Sequence, residues 1–88
     1  MEPEDLLKKA EQFFKAEDYD SAMEAYNYGI NNLCPNYAPI WNNRAAVQLK
    51  LGNYREAIND SSTALQLSVL EIYELWQQST AQSEIGQL

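Results

Sequence analysis

Residues 41–65 read WNNRAAVQLKLGNYREAINDSSTAL, and this stretch decides the fold. Trp41, Ala45 and Leu49 recur at i, i+4 and i+8, the spacing of one helix face. Gly52-Asn53 interrupts the pattern, because glycine tolerates backbone angles that other residues resist. Tyr54, Ala57, Ile58, Ser61, Ala64 and Leu65 then continue as a second helical stripe. Ala45, Ala57 and Ala64 are small enough for two backbones to approach closely, as ridge-into-groove packing requires. Trp41 and Tyr54 are placed to fill the open ends of that helix pair.

The unit occurs twice. A shift of 35 positions lays Ala10 on Ala45, Lys15 on Lys50, Tyr19 on Tyr54 and Ala22 on Ala57. Leu6 then matches Trp41, Phe14 matches Leu49, Met23 matches Ile58, and Gly29-Ile30 matches Ala64-Leu65. A period of this length signals a helical solenoid. A large residue, a small one four positions on, and Tyr-x-x-Ala opening the second helix resemble the tetratricopeptide repeat family. The run from Asn43 to Leu65 is similar to the second repeat of such domains in co-chaperones. The resemblance covers roughly residues 3–68 and implies an all-α, right-handed α-solenoid.

Working outward, Pro3 suits a first helical position and Glu4 and Asp5 suit the positive helix end. Leu6, Ala10, Phe13 and Phe14 form the buried stripe of the first helix. Glu17-Asp18 occupies the turn that Gly52-Asn53 makes in the second copy. A second helix is expected from about Tyr19 to Leu33, buried through Ala22, Tyr26, Gly29, Ile30 and Leu33. Gly29 inside a helix costs roughly 0.5–1 kcal/mol relative to alanine, so close approach of a neighbouring helix is expected there. Pro35 and Pro39 bracket the passage into a third helix, about 38–50, and a fourth follows at about 54–67. Ser68-Val69-Leu70-Glu71 fits a capping box, serine followed three residues later by glutamate. It predicts a fifth helix over about 69–86. That helix reads as a solenoid cap with a polar outer face, or as the opening helix of a third repeat in a longer array. The whole is expected to be one domain over 1–88: repeat one at about 3–36, repeat two at about 38–68, then the fifth helix.

Eighty-eight residues allow one small domain with a thin core. The formal net charge of −7, concentrated in the first 35 residues, repels phosphate. Nucleic acid and anionic membrane are therefore poor partners. No apolar run approaches the ~18 residues needed to span a bilayer, and no secretory signal pattern opens the chain. The lone Cys34 allows no internal disulfide and favours a cytoplasmic setting. With no histidine, one cysteine and three widely spaced glycines, the chain offers no Ser-His or Cys-His pair, no cysteine-rich zinc site and no phosphate loop. The reading is a non-enzyme without cofactor or metal.

What remains is surface. The resemblance implies a concave groove, lined by the first helix of each repeat, that takes a peptide or helix of another protein. Its residues here would be Leu7, Glu11, Phe14, Asn43, Ala46, Lys50, Tyr73 and Gln77. Phe14 reads equally as core, and Glu11, Asn43 and Lys50 read as exposed. Co-chaperone members hold the acidic tail of a heat-shock chaperone in a clamp of lysine, asparagine and arginine. Carried over by position, the clamp falls on Leu7, Glu11, Asn43, and Tyr73 with Gln77, or Glu74 with Gln78 if the register slips by one; only Asn43 keeps the required residue. Glu11 would face the incoming carboxylate, and like charges about 4 Å apart cost ~1 kcal/mol in water. The favoured function is an interaction module for a non-acidic partner segment. The alternatives are a chaperone-tail adaptor and a self-associating assembly module, monomer or dimer.

Overall fold

The computed structural model describes residues 2–83, with side chains through Gln78. Among them every regular element is helical: α1 Pro3–Lys15, α2 Tyr19–Tyr28 running into a π turn Gly29–Leu33, α3 Ala38–Lys50 and α4 Tyr54–Ser83. Each helix packs on the next, α1 on α2, α2 on α3 and α3 on α4. This is the all-α stack of helix hairpins that the repeat predicts.

Both hairpin turns are built alike. After α1, the Glu17 N–H donates to Phe14 O at 3.0 Å and the Asp18 N–H to Phe13 O at 2.9 Å. After α3, the Gly52 N–H donates to Leu49 O at 3.1 Å and the Asn53 N–H to Gln48 O at 2.8 Å. These are the same bonds displaced by the repeat, and they satisfy the last carbonyls of each helix. Both turns need a left-handed residue, Gly52 at φ 82° and Glu17 at φ 61°. Asp18 then caps α2 by accepting from the Ser21 N–H at 3.3 Å.

Gly29 sits where α1, α2 and α3 converge. A Cβ there would come within 3.0 Å of both Ile40 and Leu6, the close approach expected of a mid-helix glycine. The chain then widens into the π turn, closed by the Cys34 N–H donating to Gly29 O at 2.7 Å. The Trp41 indole N–H reaches back to Pro35 O at 2.7 Å and ties the connector to α3. Burial raises the Cys34 thiol above its ordinary pKa, so it packs beside the core rather than standing as a ready thiolate.

The core is Leu6, Ala10, Ala22, Tyr26, Ile30, Ile40 and Val47. Ala45, Ala57 and Ala64 are also buried, so the small residues face the helix interfaces. Arg44 adds a polar tie. Its guanidinium meets both Asp60 oxygens at 2.7 and 2.8 Å and donates to Asn27 Oδ1 at 2.8 Å. One side chain on α3 thus holds α2 and α4.

Two expectations need correction. Tyr54, Ile58 and Leu65 were expected on the buried stripe but are exposed, as is Leu49; nothing among the described residues packs on that side of α4. The fifth helix does not form as a separate element within the described residues. α4 runs through Ser68 without a break. The physical reason lies in the second copy itself: Pro35, which stops α2, corresponds to Leu70, a good helix former. Ser68 and Glu71 are therefore ordinary helix-interior residues. Residues 84–86 of the predicted helix lie outside the described residues. At 1.5 Å per residue, the 30 residues of α4 extend about 45 Å, most of the 53 Å long axis of the molecule.

Candidate functional site

The turn at Glu17-Asp18 and the π turn set α1, α2 and α3 so that a cleft of about 150 Å³ opens between them. Glu11 and Phe14 line it from α1, Tyr26 from α2, and Asn43 and Ala46 from α3. Four of the residues expected in the groove, Glu11, Phe14, Asn43 and Ala46, thus come together. Phe14 both packs on the core and lines the cleft, held by an edge contact with Tyr19 at 5.6 Å between ring centres.

Tyr26 is the residue that sequence reasoning assigned only to packing. Its ring is buried, and it shares the cleft with the Asn43 side chain. Burial first, and the Glu11 charge second, push the phenol above its ordinary pKa. A buried tyrosine needs a partner for its hydroxyl, so a groove asparagine one helix away was the available signal.

Asn43 also lines a second, larger cleft between α3 and α4, about 480 Å³, with Asn42, Ser61, Leu65 and Ser68. Asn43 is the residue common to the two hollows. Asn42 lines the larger one; side-chain amides are the kind of donor and acceptor that hold an extended backbone.

The remaining expected residues lie elsewhere. Leu7 packs partly against the core, and Lys50 is exposed at the end of α3. Tyr73 and Gln77 are exposed on α4 and hydrogen-bond each other, with Tyr73 stacked on Trp76. Glu71 and Glu74, not Tyr73 or Gln77, line the hollow that α4 makes with Ala38 at the start of α3. Tyr73 and Gln77 do not line the cleft of Glu11 and Asn43.

Among the described residues no cluster of His, Cys, Asp or Glu is arranged to hold a metal ion. No described helix is long and apolar enough to cross a membrane.

Fold and relatives together define a tetratricopeptide repeat domain of the co-chaperone type, and the chain belongs to that family. It is 46% identical over 67 residues to dynein axonemal assembly factor 4 of Pongo pygmaeus. It is 36% identical over 72 residues to tetratricopeptide repeat protein 4 of Homo sapiens, and 35% identical over 74 residues to DnaJ homolog subfamily C member 7 of Mus musculus. Each match covers 74–76% of this chain but only 15–19% of the relative. No family model and no solved structure matches.

Proposed function

We propose that the domain binds an extended, non-acidic segment of a partner protein along the two joined clefts. The carrying observation is the position of Asn43, shared by both hollows and flanked by Phe14 and Ala46 on one side and Leu65 on the other. Phe14 and Ala46 supply apolar wall, and Asn42 and Asn43 bond the peptide backbone; Leu7, Lys50, Tyr73 and Gln77 are not assigned to this groove. The setting is cytoplasmic and the partner a protein, a chaperone or a chaperone–client complex being the class suggested by a DnaJ-named relative.

The test is a polarisation titration of capped, labelled peptide pools of uncharged sequence. Asn43→Ala should weaken binding about fivefold, the loss of a hydrogen bond of about 1 kcal/mol, while circular dichroism stays helical. Unchanged affinity removes Asn43 as a contact. Micromolar binding of an acidic C-terminal peptide would instead support the chaperone-tail reading.

A second reading rests on a separate observation. Ile58, Leu65, Val69 and Ile72 stand exposed on α4 at spacings of seven, four and three, one face of a helix. That face supports self-association, and light scattering across a concentration series checks it: a monomer throughout removes the idea.

A further inference from the structure

The peptide reading leaves open which side chain the small cleft selects. Among the described residues the one ion pair is Arg44 with Asp60, so the Glu11 carboxylate has no cation within 4.0 Å. The cleft beside it is lined otherwise by Phe14, Ala46, Tyr26 and Asn43. Its volume of about 150 Å³ equals that of roughly five liquid waters, room for one side chain. The walls are apolar, and the polar groups at the mouth are an anion and an amide.

We infer that this cleft selects a lysine or arginine of the partner segment, its aliphatic stem on Phe14 and Ala46 and its cationic head at the Glu11 carboxylate beside the Asn43 side chain. Long basic side chains cover apolar surface with their stems while their charge stays at the wet edge. An acidic side chain meets repulsion from Glu11 in the same place. Lys8 and Lys15, on the same helix as Glu11, and Lys50 at the end of α3 are exposed. They are the groups that oppose this preference, and they do so from water, where salt screens them. The proposal rests on the peptide-binding reading and reverses the charge preference of the family's carboxylate clamp at one position.

The experiment uses three labelled pentapeptide pools, acetylated and amidated, with lysine, glutamine or glutamate at the centre and randomised uncharged flanks. Fluorescence polarisation is read for the full chain and for Glu11→Gln and Glu11→Lys, with circular dichroism as the fold control. The lysine pool should bind about tenfold tighter than the glutamate pool, with glutamine between. Glu11→Gln should cut the lysine advantage over glutamine to under twofold, and Glu11→Lys should invert the order. Equal binding of the three pools, or a lysine advantage untouched by Glu11→Gln, overturns the inference and leaves the groove reading standing. No binding by any pool overturns both.

Discussion

The two hairpins share a sequence pattern and a turn geometry but not a fate. In the first, Ile30 is 8% exposed; its counterpart in the second, Leu65, is 65% exposed. Met23 packs against the core, and its counterpart Ile58 is also 65% exposed. The residue types hardly differ. The first hairpin is followed by α3, which covers it, whereas α4 runs on straight and nothing described covers the second. Burial in a repeat stack is therefore conferred by the next unit rather than by the hairpin's own sequence. The second hairpin compensates with charge. Arg44 and Asp60 hold it, where the first copy has Lys9 and Ala25.

The largest effect should come from that ion pair. Arg44→Met leaves Asp60 buried without a partner and should cost about 3 kcal/mol, read as a lowered denaturant midpoint. A change under 0.5 kcal/mol would mean that the second hairpin does not depend on it. Next comes the matched pair Ile30→Ala and Leu65→Ala. The first should cost about 2–3 kcal/mol and the second under about 0.5. Equal costs would show that something covers Leu65 in solution.

Gly29→Ala tests the convergence point. The added methyl meets Ile40 and Leu6, so despite better helix propensity the change should cost about 1–2 kcal/mol. A gain would show that the three helices stand further apart. The smallest effect concerns the turns. Glu17→Gly relieves a left-handed glutamate and should stabilise by about 1 kcal/mol, making the first turn as easy as the one at Gly52. A loss would place the Glu17 side chain in a contact that matters.

Most of the architecture was legible because the deciding residues act locally. Pro3, Pro35, Pro39 and Gly52 mark where backbone continues or stops, and the alanines mark where helices touch. The fifth helix was misplaced because Ser68 and Glu71 satisfy a local capping pattern, yet nothing between them forces the backbone out of helical angles. Without a proline or glycine there, propagation wins. Tyr73 and Gln77 were lost from the groove for the same reason, since their placement depended on that turn. That Glu11, Phe14, Asn43 and Ala46 would line one cleft was legible because each lies on a helix whose face the repeat already fixes. Tyr26 was missed as a cleft residue because a buried aromatic looks alike whether its hydroxyl is idle or poised.

The most direct test is a nitrogen–proton NMR titration of the chain with the lysine-centred peptide pool. Amide shifts should concentrate at Glu11, Phe14, Asn43 and Ala46 and spare Ile58, Val69 and Ile72. Shifts confined to the outer face of α4, or none at saturating peptide, would contradict a binding cleft between α1, α2 and α3.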